Sequence, residues 1–103
     1  MIKKNIEYSQ AVELTKNQVD QAFFVFSDRC EVCGQFIPEA ANILKTFIND
    51  NIYFIEADDM PFPPPEVPIL YLFRKDLSEP RLRVGIAPEE LIKNDFERFY
   101  KKI

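Results

Sequence analysis

Histidine and tryptophan are absent from this chain of 103 residues, and glycine, methionine and cysteine occur only twice each. Without histidine the chain lacks the commonest general base and the side chain that titrates near neutral pH. A closed structural zinc site takes Cys or His at all four positions, and two cysteines cannot fill it. A metal or cluster bridging two chains through Cys30 stays open, but no resident metal and no cofactor are expected. No apolar run reaches membrane-spanning length, and Met1-Ile2-Lys3-Lys4-Asn5-Ile6-Glu7 places two lysines without the apolar stretch of a signal peptide behind them. The expected location is the cytoplasm, with no membrane partner. A net charge of −4 makes nucleic acid a poor partner. There is no internal repeat and no compositional boundary. A chain of this length, 47% hydrophobic and with ten phenylalanines, suits one domain over residues 1–103, expected to be a monomer.

What is present centres on Asp28-Arg29-Cys30-Glu31-Val32-Cys33-Gly34, which holds both cysteines. The apolar run Ala22-Phe23-Phe24-Val25-Phe26 leads in. Phe36, Ile37, Ala40, Ala41, Leu44, Phe47 and Ile48 follow at steps of three and four, the period of a helix. A closely spaced pair between a buried strand and a helix reads as a redox dithiol. The first turn of a helix offers unpaired N–H groups and the positive end of the macrodipole, and both stabilise a thiolate. Cys30, near the strand end, is expected to be exposed and to attack a partner disulfide. Cys33, pointing into the helix, is expected to be covered and to resolve the mixed intermediate. Arg29 favours the thiolate, whereas Glu31 and Asp28 oppose it. Weak thiolate stabilisation makes a couple more reducing, so the expected potential is nearer about −270 mV than about −120 mV. Two other readings of the pair stay open: a structural disulfide closing a short loop, worth about 2 kcal/mol, and two inert thiols on a retained scaffold.

The remaining chain reads as follows. Residues Ile2 to Tyr8 suit a short edge strand. Ser9 suits the N-cap of a helix over Gln10–Val19, with Ala11, Val12, Leu14 and Val19 as its apolar face. Ala22 to Ser27 reads as a central strand. A second helix is expected from Glu31 to Phe47 or Ile48, kinked by Pro38, and Asn49-Asp50-Asn51 ends it. Ile52-Tyr53-Phe54-Ile55 is a buried strand. Asp58 to Pro68 holds five of the eight prolines, which excludes regular helix and favours polyproline II. Its PxxP spacing could suit an SH3-like groove, but a stiff surface connector is the favoured reading. Ile69-Leu70-Tyr71-Leu72-Phe73 is a strand, and the Val67-Pro68 bond before it is a candidate for cis. Arg74 to Pro80 is a turn, Arg81-Leu82-Arg83-Val84 an edge strand, and Gly85 a bulge or tight bend. The last helix starts near Pro88, with Glu89 and Glu90 in its first turn and Lys101 and Lys102 in its last. Leu91, Ile92, Phe96, Phe99, Tyr100 and Ile103 are its expected core face. The order β-α-β-α-β then β-β-α implies an α/β mixed sheet with helices on both faces.

Four features resemble the thioredoxin superfamily: Cys30-x-x-Cys33 after a hydrophobic strand, Pro38 five residues beyond the second cysteine, Val67-Pro68 before a strand, and Val84-Gly85 before the final helix. The resemblance implies a thioredoxin-like fold with a mixed five-stranded sheet, its third helix replaced by the Pro-rich loop. It implies a cis Pro68 against the cysteine pair and a Val67 backbone that pairs with an extended substrate segment. Arg29 would then contact substrate, while Glu31 and Asp28 tune the thiol pKa. The departures are Arg29 in place of Trp, Glu31-Val32 in place of Gly-Pro, and Phe24 and Phe54 where the family has a buried aspartate and its partner lysine. That loss implies a raised Cys33 pKa and a slow release step.

The first functional reading is a thioredoxin-like thiol–disulfide oxidoreductase that acts on a protein disulfide substrate through Cys30 and Cys33. Its electrons would come from a reductase or a small thiol. The second is a non-catalytic binding or accessory module on the same fold, similar to the thioredoxin-like accessory proteins of bacteriocin export. A glutaredoxin ranks lower, because Pro-Tyr is missing between the cysteines.

Overall fold

The structure, a computed structural model, describes residues 3–101. Among these residues the elements are α1 (Tyr8–Leu14), β1 (Gln21–Phe26), α2 (Cys33–Ile48), β2 (Ile52–Glu56), β3 (Ile69–Phe73), β4 (Arg81–Val84) and α3 (Glu89–Tyr100). The sheet runs in the order β2-β1-β3-β4. β1 pairs parallel with β2 and antiparallel with β3, and β3 pairs antiparallel with β4. The mixed sheet is therefore as expected, but among the described residues it has four strands and not five.

The missing strand is the one expected over Ile2–Tyr8, of which Ile2 lies outside the described residues. Among the described residues one backbone rung forms there, from the Asn5 N–H to the Phe54 carbonyl. The Phe54 N–H is taken by the Asn5 side-chain Oδ1 at 2.8 Å, so a side chain replaces the backbone partner that would extend a ladder. The chain then turns directly into α1. Glu7, not Ser9, is its N-cap, through a capping box with Gln10. α1 stops at Leu14, well short of Val19, because the buried Gln21 amide donates to the carbonyl of Leu14 at 2.8 Å and reaches that of Asn17. Of the expected apolar face only Ala11 is buried, while Val12 and Val19 are exposed.

Residues along β1 alternate between the two sides of the sheet. Ala22, Phe24 and Phe26 join Ile52, Leu70 and Leu72 under α2 and α3, in a cluster with Cys33, Ile37, Leu44, Ile92 and Phe96. Phe23 packs instead with Ala11 and Ile55 under α1. Helices thus cover both faces, and all six residues of β1 are buried. α2 continues through Pro38, whose ring is exposed. It ends at Asn49, in the left-handed region at φ 59°. Between β2 and β3 there is no α-helix, only a 3-10 turn at Ala57–Asp59 followed by the proline-rich segment.

α3 is tied down at its middle and at its C-terminal end. Asp95, buried within it, receives guanidinium hydrogen bonds from Arg83 at 2.7 Å and from Arg81. The β4 side chains on that face are thus the arginines, and Leu82 and Val84 are left exposed. At the C-terminal end the Tyr100 hydroxyl reaches the carbonyls of Gln21 and Phe73, and burial pushes its pKa up. Pro88 is the N-cap and not the first helical residue. Leu91 is exposed, against expectation, because Ile92, Phe96 and Phe99 define the buried stripe and Leu91 lies one step off it. Lys102 and Ile103 lie outside the described residues.

Asp95→Ala strands two guanidinium groups, one of them half exposed, and should cost about 2 kcal/mol in denaturant unfolding. The neighbouring Glu97→Ala should stay within about 0.5 kcal/mol of wild type. Gln21→Leu should cost roughly 1–2 kcal/mol, through the carbonyls it leaves unpaired at the end of α1.

Candidate functional site

β1 ends at Phe26, and the chain turns at once. The Ser27 carbonyl accepts the Cys30 N–H at 3.0 Å, and Ser27 Oγ accepts the Arg29 N–H at 3.2 Å. A second tight turn follows, with the Cys33 N–H donating to the Cys30 carbonyl at 3.2 Å and the Gly34 N–H to the Glu31 carbonyl at 3.3 Å. These i+3 bonds occupy Glu31 and Val32, so α2 begins at Cys33 and not at Glu31.

Cys30 and Cys33 are joined by a disulfide, with 5.4 Å between their Cα atoms. Cys33 is 1% exposed, within the cluster under α2. Cys30 is half-buried and packs at the edge of that cluster. The Cys33 N–H also lies 3.2 Å from the Cys30 sulfur and donates to it. This first amide of α2 is aimed at the atom where a thiolate charge would sit on reduction. An open hollow of about 190 Å³ is lined by both cysteines together with Phe26, Ser27, Asp28, Glu31 and Gly34.

The Val67-Pro68 bond is cis. The Val67 carbonyl oxygen lies 3.9 Å from the Cys30 sulfur, so the proline segment and the disulfide are adjacent. Pro68 is itself buried. Its carbonyl accepts the Gly85 N–H at 2.8 Å, which fastens it to the end of β4. Gly85 has φ 83°, a conformation side chains rarely adopt, and this is why the bend carries glycine.

Of the residues singled out from sequence, Cys30, Cys33, Asp28 and Glu31 share the hollow, and Val67 adjoins it through Cys30. Arg29 is exposed and does not line it. Phe24 and Phe54 stack on each other at 5.7 Å between ring centres, 18° from parallel, in register across β1 and β2. An aromatic pair thus stands where the resemblance would put an acid and a lysine.

Glu56 escaped the sequence reading. It lies opposite Phe26, at the end of β2. Partial burial raises its pKa, and the nearby charges of Asp28, Asp59 and Asp58 raise it further. The signal was available: a carboxylate two positions beyond Phe54 on a strand shares its face, and Asp58-Asp59 follows.

A carboxyl whose pKa is higher folded than unfolded contributes stability that is present at low pH and lost as pH rises through the folded value. Glu56→Gln should therefore raise the melting temperature at pH 7. The gain should vanish near pH 4, below the ordinary value of 4.5, in paired thermal melts.

No protein-family model and no curated protein sequence matches the chain. Solved structures do. Chloroplastic thioredoxin z superposes with a TM-score of 0.70 at 16% identity, covering 95% of this chain and 96% of that one. The thioredoxin of Malassezia sympodialis gives 0.68 at 17% identity, over 89% of this chain and 87% of its own. Thioredoxin O2 of Arabidopsis thaliana, in its oxidised state, gives 0.65 at 13%, over 91% and 90%. With its sheet order, its cis proline and its Cys30–Cys33 disulfide, the chain has the thioredoxin fold.

Proposed function

We propose that the protein is a thiol–disulfide oxidoreductase that reduces a disulfide in a protein substrate. The observation that carries this reading is the Cys30–Cys33 disulfide at the start of α2, with one sulfur half-exposed and the other buried. In the reduced protein the Cys30 thiolate attacks a substrate disulfide. One substrate sulfur leaves as a thiolate and a mixed disulfide forms. The Cys33 thiolate then attacks the Cys30 sulfur, the mixed disulfide breaks, and the second substrate sulfur leaves. The substrate gains two electrons and the cysteine pair loses two. A reductase dithiol or a small thiol returns them by the reverse exchange.

The Val67 backbone offers the edge along which an extended substrate segment pairs beside Cys30. Asp28 and Glu31, in the hollow with the sulfurs, disfavour a thiolate there and make the couple reducing. The Phe24–Phe54 ring pair supports a second reading, a binding module that does not turn over, because it leaves Cys33 without an adjacent buried base.

Insulin reduction driven by dithiothreitol separates the two. Wild type should accelerate insulin precipitation, Cys30→Ser should abolish the acceleration, and Cys33→Ser should accumulate a mixed disulfide visible on a non-reducing gel. A wild type no faster than Cys30→Ser would favour the binding module. The potential of the couple, from equilibration with glutathione, should lie below about −180 mV.

A further inference from the structure

Charge around the disulfide is one-sided. Asp28 and Glu31 line the hollow with both sulfurs, and both are exposed. Glu56 pairs with Phe26, a residue of the hollow, and Asp58 and Asp59 follow it in the 3-10 turn, so these carboxyls stand at the end of the sheet where the disulfide sits. Glu66 is exposed and precedes Val67, whose carbonyl touches the Cys30 sulfur. Residues 27–34 and 56–68, which frame the disulfide, contain a single cation, Arg29. Lys4 reaches this end of the molecule, but it is held by Asp59 at 2.8 Å. Three further guanidinium groups are committed elsewhere, Arg81 and Arg83 to Asp95 and Arg74 to Asp76.

We infer that the disulfide face selects protein substrates whose reactive cysteines are flanked by lysine or arginine. The inference rests on the oxidoreductase reading above and names the substrate class for that same site. Complementary charge acts chiefly on encounter. An acidic face concentrates cationic segments near Cys30 and repels anionic ones, and like charges in juxtaposition penalise the wrong partner. The same carboxylates that make the Cys30 thiolate harder to form thus compensate by raising the local concentration of the substrates that suit them. Exposed charges of this kind act over about 8 Å at physiological salt, so only residues close to the substrate cysteine matter.

Three peptides with one identical disulfide loop test this, flanked on both sides by lysines, by serines or by glutamates. The reduced protein reduces each one, and each rate is divided by that peptide's rate with dithiothreitol to remove its own reactivity. At about 20 mM salt the lysine peptide should react about tenfold faster than the glutamate peptide, with serine between, and at about 500 mM salt the ratio should fall towards one. The triple variant Asp28→Asn, Glu31→Gln, Asp58→Asn should lose most of the low-salt ratio. The ratio is the readout because these substitutions also alter Cys30 itself. A wild-type ratio near one at low salt, with all three peptides reduced, overturns the inference and leaves the oxidoreductase reading standing. If none of the three is reduced, the oxidoreductase reading falls and this inference with it.

Discussion

Six consecutive side chains, Gln21 to Phe26, are out of water, and a strand buried on both faces needs a cover on each side. On one side the cover is α2 with α3. Ile37, Leu44, Ile48, Ile92 and Phe96 close over Ala22, Phe24 and Phe26. Each fully buried side chain of this size contributes roughly 1.5–3 kcal/mol, whereas an exposed ion pair such as Lys16–Glu13 contributes at most about 1 kcal/mol. Apolar packing of α2 on β1 therefore fixes where α2 begins and which way its first residue points. Cys33 is that first residue, and it is buried because it belongs to the stripe that packs. Cys30, one tight turn earlier, is left at the rim. The difference in exposure between the two sulfurs follows from this packing.

The second element of the site comes from the opposite direction in the chain. β3 runs antiparallel to β1, so its start meets the end of β1, where Val25 faces Ile69. The residues just before β3 are Val67 and Pro68, and antiparallel pairing alone carries them to the cysteines. The Gly85 amide then holds Pro68 from the β4 side. Disulfide, cis proline and the turn after β4 thus meet at one end of the sheet, although they are far apart in sequence. β2 runs parallel to β1 and ends there too, and it delivers Glu56 and the carboxylates that follow. The acidity of the disulfide face is a consequence of strand direction as much as of composition.

The stacked rings of Phe24 and Phe54, where the resemblance would place a charged relay, have a simple energetic side. A buried acid and lysine cost desolvation that their mutual attraction has to offset. Two stacked rings bury area with no such penalty and add roughly 0.5–1.5 kcal/mol of their own. This chain has stability where the resemblance would place proton transfer. Glu56, one alternation further along the same strand face, stands opposite Phe26, which lines the hollow.

Local pattern was enough for much of this. The period-two and period-three-to-four spacings located β1, α2, β2, β3, β4 and α3. The cysteine spacing marked the site, and Val67-Pro68 and Gly85 marked its two supports, because such residues report backbone constraints directly. What failed depended on partners distant in sequence. The expected first strand is a single rung because an Asn5 side chain takes the Phe54 amide, α1 stops early because Gln21 reaches back to it, and Leu91 lies outside while Asp95 lies inside because two arginines arrive from β4. By itself the sequence determined the order of the elements from α1 onward and the place of the Cys30–Cys33 pair between a strand and a helix, since both are written in residue type and spacing. Only the tertiary structure decided which carboxylates stand beside the sulfurs and how far each sulfur is covered, because strand direction and packing, not distance along the chain, bring those groups together.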